Sequence, residues 1–226
     1  MKPRIKTDTT ILIVIILCTG IFAAFKKLYL SNEIFDALFD AMGFLLIYKG
    51  NFLRMAARGH KKNFSKQSHA LVVSGPYTIV RNPMYLGTFY LGAGFAFLVW
   101  PFWSVPIFAC FFYLRFIKQI KIEEAFLLKS FGKEYENYCA KVPRLIPRLD
   151  IVTKINFKKT FDLNSVFSTK ETRGLIFWPL LAMILESIQQ IFVFGNVDLL
   201  GSLTTYFATT TIFFVGLAVY YSEGKQ

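Results

Sequence analysis

Two polar stretches of this 226-residue chain hold residue types able to do chemistry. The first runs from Ser68 to Gly87 and carries His69, Tyr77, Arg81, Asn82 and Tyr85. Gly75-Pro76 marks a turn within it. Asn82-Pro83 bars the αR region at Asn82 and lets Pro83 open a helix. The stretch reads as an extended arm, a turn and a helix start, with Asn82 as the N-cap. The exposed N–H groups of such a start favour an anionic group. The second stretch, Lys118 to Leu128, reads as helix. Neighbours on a helix lie three and four positions away. Glu124 has Lys121 there, which predicts a surface ion pair. Glu123 has Gln119, Ile120, Phe126 and Leu127, and no cation. A carboxylate on an apolar face is costly unless something pairs with it. A distant cation such as Arg81 is one candidate partner, and a positively charged ligand is the other.

A ligand of the S-adenosylmethionine type meets these demands together. Its ammonium wants a carboxylate, and its carboxylate wants N–H donors or an arginine. Its adenine and sulfonium want aromatic rings. Glu123, the helix start at Asn82, Arg81, Tyr77 and Tyr85 supply each type. A metal is not called for. Cys18, Cys110 and Cys139 sit far apart, form no CxxC pair and suggest neither a zinc cluster nor a disulfide scaffold.

The elements that must position these residues are membrane helices. Hydrophobic residues make up 54 % of the chain and charged residues 18 %, with a mean hydropathy of +0.46. A water-soluble domain is nearer a quarter charged. The net charge is +12. Excess positive charge on a greasy chain fits cationic loops on one side of a bilayer. Nucleic-acid binding is disfavoured, because 26 Phe scattered through apolar runs do not make a groove-binding surface. The pattern predicts an all-α, polytopic bundle of about six transmembrane helices with a cytoplasmic cofactor-binding segment. A core over 1–149 would contain spans at about 11–30, 34–50, 84–100 and 102–116 and the cofactor segment 115–148. A basic linker over 150–173 and a C-terminal transmembrane hairpin over 174–226 would follow. The basic N-terminus, loop 49–82 and segment 115–173 fall on one side of such a bundle. An integral, multi-pass protein with both termini in the cytoplasm is expected.

The ordered motifs identify a family. The chain resembles the isoprenylcysteine carboxyl methyltransferase and phospholipid methyltransferase superfamily of membrane enzymes. The resemblance rests on Ser74-Gly75-Pro76-Tyr77, on Arg81-Asn82-Pro83-Met84-Tyr85-Leu86-Gly87 and on Glu123-Glu124. It closes with Phe131-Gly132-Lys133-Glu134-Tyr135-Glu136-Asn137-Tyr138 and Val142-Pro143-Arg144-Leu145-Ile146-Pro147. The resemblance implies an S-adenosylmethionine-dependent methyltransferase acting on a membrane lipid or other amphiphilic acceptor. It implies a cofactor pocket lined by His69, Ala70, Leu71, Val72, Tyr77, Arg81, Asn82, Pro83, Met84, Tyr85, Glu123 and Glu124, with 131–147 as a lid. Asn82 stands where the family usually has His, so that position keeps hydrogen-bonding capacity but does not titrate near neutrality. Asn-Pro-Met-Tyr resembles the phospholipid N-methyltransferase branch. Gln119 stands where the carboxyl methyltransferase branch has a basic residue, and Arg115 or Lys118 is the substitute on the substrate side.

Other readings compete. A nicotinamide-dependent reductase of the sterol-reductase type shares the arm and helix pattern, and a silent scaffold would keep the fold without turnover. His60 reads as a surface residue, Gly92 and Gly94 as helix-packing positions, and the run around Lys154, Lys158 and Lys159 as a lipid-headgroup contact. Glu186, with Gln189 and Gln190, lies inside a span. Its expected partners are Thr204, Thr205, Thr209 and Thr210, unless it serves function.

Overall fold

The computed structural model describes residues 17–22, 24–29, 33–67, 70–195 and 197–222. All regular structure among them is helical, as expected. His69, residues 1–16 and residues 223–226 lie outside the described set, and with them residues 11–16 of the expected first span. Residues 17–22 and 24 are helical, and Lys26–Leu28 forms a 3-10 turn, so the described helix stops short of Lys26.

Helix α1, Glu33–Gln67, has 35 residues. Only 34–50 was expected as a span. The helix runs on through the basic stretch because Leu53, Arg54, Met55, Ala56, Ala57 and Arg58 are sound helix formers and no proline intervenes. At 1.5 Å per residue α1 is about 52 Å long. Helix α2, Pro83–Val99, returns antiparallel to it. The two backbones touch at paired glycines. A Cβ on Gly43 would meet the Gly94 carbonyl oxygen at 2.9 Å, and one on Gly94 would meet that of Gly43 at 2.6 Å. Seven residues along each helix, Gly50 and Gly87 repeat the contact at 2.6 and 2.7 Å. Small residues allow this approach, and no larger side chain fits. Gly94 is a helix-packing position, as read from the sequence. Gly92 is one as well, making room for the Phe108 ring of the next helix.

Helix α3, Ser104–Phe131, follows the Pro101-Phe102-Trp103 break. It joins the expected fourth span and the Lys118–Leu128 stretch in one continuous element. Gly132, at φ 51°, turns the chain into α4, Lys133–Lys141. The stretch 150–173, expected as a linker, is folded. It forms short helices at Leu149–Val152, Phe157–Thr160 and Leu163–Phe167 and a 3-10 turn at Lys170–Arg173. Phe161 and Val166 are buried in one core with Phe52, Leu53, Met55, Val80 and Leu86. Apolar residues interleaved with lysines anchor this stretch to α1. Glu171 fixes it further by pairing with Arg54, at 3.3 Å, and with Arg58.

Helices α5, Gly174–Phe194, and α6, Leu199–Ser222, form the C-terminal hairpin. Among the described residues, two helical stretches are long and apolar enough to cross a membrane, Lys170–Phe194 and Leu199–Val219. Pro83–Val99 is apolar but shorter. Most of the apolar surface of α5 and α6 faces outward, including Ile176, Phe192, Phe207 and Ile212. Such a surface suits lipid rather than water. Glu186 is only 1 % exposed. Its partners are not the expected threonines. It accepts from Gln190 Nε2 at 3.0 Å and Ser202 Oγ at 2.8 Å. Thr209 and Thr210 instead donate to backbone carbonyls of α6, and Thr210 also bonds the Tyr48 hydroxyl of α1.

Candidate functional site

Consecutive helix positions point about 100° apart. Glu123 and Glu124 therefore face different surroundings, and the structure reverses their expected roles. Glu124 is the buried carboxylate, 8 % exposed, and Glu123 is the exposed one. Glu124 does not take Lys121 as a surface partner. Arg144 clamps its Oε2 through Nε at 2.9 Å and Nη2 at 2.6 Å. Arg81 Nη2 lies 3.6 Å from Oε1, and Asn82 Nδ2 donates to Oε1 at 3.3 Å. Counting neighbours along α3 alone missed these groups, because they come from the arm and from the segment after α4.

Asn82 occupies the N-cap position of α2, but its side chain makes no capping bond. Its carbonyl oxygen accepts from the N–H groups of Tyr85 and Leu86, at 3.1 Å each. The side-chain amide turns away toward Glu124 and the Arg144 carbonyl oxygen, which it reaches at 3.2 Å.

The arm and the segment 133–147 are joined along their length. The Arg81 N–H donates to the Pro143 carbonyl at 2.8 Å, and the Tyr138 hydroxyl to that of Tyr77 at 2.7 Å. Leu71 is buried against Tyr135 and Tyr138, which share one face of α4. Gly75, at φ 61°, makes the turn in the arm. His60 is not a surface residue: its ring packs on Gly75, and its Nε2 lies 2.9 Å from Ser74 Oγ. Burial pulls its pKa below the ordinary value, against the opposing charge of Asp162.

Between α3 and segment 133–147 lies a cleft of about 420 Å³ lined by Arg81, Lys121, Glu124, Tyr135, Glu136 and Arg144, with Cys139 at its wall. The hydrogen bond to Glu124 raises the Arg144 pKa further, so the guanidinium stays charged. Burial raises the Tyr135 and Tyr138 phenols, which stay neutral. The Arg81 Nε–H is buried with no hydrogen-bond partner. A free donor beside two carboxylates, Glu124 and Glu136, suits a zwitterion with one carboxylate and one ammonium.

On the other flank, Glu123 Oε1 accepts from the Tyr85 hydroxyl at 2.7 Å and from Gln119 Nε2 at 3.0 Å. Tyr77 is close enough for the Glu123 charge to add to burial in pushing its phenol up to about 12. Arg115, one turn before Gln119, has its guanidinium 5.3 Å from the centre of the Phe116 ring, and that ring packs on Tyr85.

The expected residues thus divide. Arg81, Asn82 and Glu124 meet at the cleft. Tyr77, Tyr85, Gln119 and Glu123 form the second flank. Ala70 and Val72 flank the anchored Leu71, Pro83 is buried at the helix start, and Met84 follows it half-buried. Sequence reasoning missed Arg144, Tyr135, Glu136, Lys121 and Cys139 as cleft residues. Arg144 stood in the quoted Val-Pro-Arg motif, and Tyr135 and Tyr138 have the i, i+3 spacing of one helical face. Among the described residues no group of three or more metal-ligating side chains gathers.

Fold and site define a helical protein with a mixed-charge cleft between α3 and the segment that follows it. Residues 38–134 match the family model of phospholipid methyltransferases. The protein-S-isoprenylcysteine O-methyltransferase of Schizosaccharomyces pombe is 36 % identical over 128 residues, 53 % of this chain and 53 % of the relative. That of Saccharomyces cerevisiae is 33 % identical over 125 residues, 52 % of each chain. That of Mus musculus is 34 % identical over 116 residues, 48 % of this chain and 41 % of the relative. The chain spans about half the length of these curated relatives. No solved structure matches it. The matched region is similar to phospholipid methyltransferases and to protein-S-isoprenylcysteine O-methyltransferases.

Proposed function

We propose that this protein is an integral membrane methyltransferase that uses S-adenosylmethionine on a lipid-like or amphiphilic acceptor, in the manner of an isoprenylcysteine carboxyl methyltransferase. The observation that carries this reading is the cleft. It combines Arg81, whose Nε–H has no partner, and Glu124, both inside the region 38–134 that matches methyltransferases, with Glu136 just beyond that region. Arg81 and Lys121 would take the cofactor carboxylate, Glu124 and Glu136 its ammonium, and the Tyr135 ring its flat or cationic part. Bound there, the cofactor supplies an electrophilic methyl group on a sulfonium. The chain contributes alignment and the exclusion of water, which suit a direct transfer. Segment 133–147 covers the cleft, and Arg81, Asn82 and Arg144 hold it down. Tyr85, Gln119 and Glu123 form the acceptor flank, with Arg115 one turn deeper. His69 to Val72 and Tyr77 complete the pocket on the arm.

The membrane arrangement belongs to the same reading. About six spans with both termini in the cytoplasm leave the cleft facing the cytoplasm, above a core ending near 149. A polar cofactor then enters from water and the acceptor from the bilayer. A second reading, a phospholipid N-methyltransferase, draws support from the matching family model and from Asn82-Pro83-Met84-Tyr85.

The test is calorimetric titration of the detergent-purified protein with S-adenosylmethionine, S-adenosylhomocysteine and NADPH. Binding of both adenosyl compounds and not of NADPH is expected. NADPH binding alone would move the protein to the reductase class, and binding of none of the three would refute an enzyme at this cleft.

A further inference from the structure

Asn82 does something its N-cap position does not require. One nitrogen, carrying two hydrogens, serves two acceptors on different elements: Glu124 Oε1 on α3 at 3.3 Å, and the Arg144 carbonyl after α4 at 3.2 Å. Its own backbone is fixed by the start of α2, where its carbonyl takes the Tyr85 and Leu86 N–H groups. The next residue, Pro83, is buried and locked in φ. The amide is therefore a short, rigidly mounted bracket between the helix that carries the buried carboxylate and the segment that walls the cleft on its other side. The charged and titratable groups around it are Arg81 on the arm, Glu124 and Lys121 on α3, Tyr135, Glu136 and Cys139 on α4, and Arg144 beyond. Tyr85 and Glu123 lie on the opposite flank. Among these the bracket itself is an amide, with no proton to gain or lose.

We propose that Asn82 is a positioning residue that clasps segment 133–147 over the cleft, and that its amide keeps this clasp constant across neutral pH. The inference rests on the cofactor reading for its binding readout, but the clasp is a property of the chain without ligand. A carboxyl group in the same place would remove both donors. It would also set a second carboxylate beside Glu124, where one of the two takes up a proton as pH falls.

The experiment compares the full-length protein with Asn82→Ala and Asn82→Asp in detergent, between pH 6 and 8. Binding of S-adenosylhomocysteine is titrated, and backbone hydrogen exchange over 133–141 is followed without ligand. The unsubstituted protein should bind with an affinity that changes less than about twofold over this range. Loss of a hydrogen bond to a charged group weakens binding by about tenfold or more in Asn82→Ala, equally at each pH. Asn82→Asp, of nearly the same shape, should lose more at pH 8 than Asn82→Ala and regain part of the loss at pH 6. Exchange over 133–141 should accelerate in both variants. Wild-type affinity and exchange in Asn82→Ala would overturn the clasp, and a pH-independent Asn82→Asp would overturn the role of the amide. If the unsubstituted protein binds no adenosyl compound, the proposed function fails. Hydrogen exchange then decides the clasp alone, with unchanged rates in Asn82→Ala refuting it.

Discussion

Cutting the Glu124–Arg144 pair should release the covering segment by an amount the structure sets. The pair has two charge-assisted hydrogen bonds, at 2.9 and 2.6 Å. The Glu124 side chain is 11 % exposed and that of Arg144 39 % exposed. A fully exposed pair contributes about 0–1 kcal/mol, and breaking a buried one costs about 3–5 kcal/mol. This pair is buried on one side only, so about 2 kcal/mol is the reasoned value, a factor of about 30 in an equilibrium. Local opening governs amide exchange. Amides of Lys133–Lys141 should therefore exchange about 30-fold faster in Arg144→Ala. Glu124→Gln should be the more damaging change, because it deprives Arg81 as well as Arg144 of a counter-charge, whereas Arg144→Ala leaves Glu124 with Arg81 and Asn82. In the double variant the two effects should fall short of additivity by about 2 kcal/mol. Exchange altered by less than about threefold, or effects that add to within about 0.5 kcal/mol, would refute the argument.

Three further outcomes follow from the packing. Gly50→Val should abolish the folded protein in fluorescence-detected size exclusion, because its first added carbon would meet the Gly87 carbonyl and the Leu91 nitrogen at 2.6 Å, both backbone atoms that cannot give way. A monodisperse Gly50→Val would show that α1 and α2 tolerate separation. Glu186→Ala should lower the melting temperature in detergent more than Glu186→Gln. Gln still presents an acceptor to Ser202, and Ala leaves the Ser202 hydroxyl without one and Gln190 Nε2 with Ser202 Oγ alone. His60 is held neutral by burial, so its folded pKa lies below its unfolded one. The unfolded chain then binds the extra proton, and this group's contribution to stability, full above the unfolded value, is lost as pH falls through the folded value. His60→Gln should lose less thermal stability than the unsubstituted protein between pH 7 and 5, and parallel curves would count against the reading.

Much of the architecture was legible because helices announce themselves locally. The Asn82-Pro83 break, the Pro101 turn and the apolar runs of α5 and α6 each sit within a few residues of the element they delimit. The extent of α1 was not legible, because a change from apolar to basic composition resembles a helix end. Composition marks the solvent a helix meets, whereas its backbone stops only where capping, proline or glycine stops it. The candidate site was legible as a set of residues and not as an arrangement. The motifs brought out Arg81, Asn82, Glu123 and Glu124, but helical spacing sees only a residue's own helix. The neighbours that bury Glu124 lie 20 and more positions away, on Arg144, Arg81 and Asn82. The folded stretch 150–173 escaped notice for the converse reason. Its lysines dominate the composition, while Phe161 and Val166, spaced five apart, do the burying.

The paired glycines of α1 and α2 have a mechanical consequence. Two backbone notches seven residues apart, about 10 Å along the axis, oppose both sliding and rolling of one helix on the other. The pair therefore moves as a single beam. In the membrane arrangement proposed above, a bilayer thicker or thinner than the apolar length of this beam would tilt it, since its two members cannot shear past each other to adjust. The arm grows directly from the α2 end of the beam, so such a tilt would raise or lower the cleft against the plane of the headgroups. Bilayer thickness would then be a coordinate of the encounter between the proposed cofactor, dissolved in water, and the proposed amphiphilic acceptor, held at its own depth.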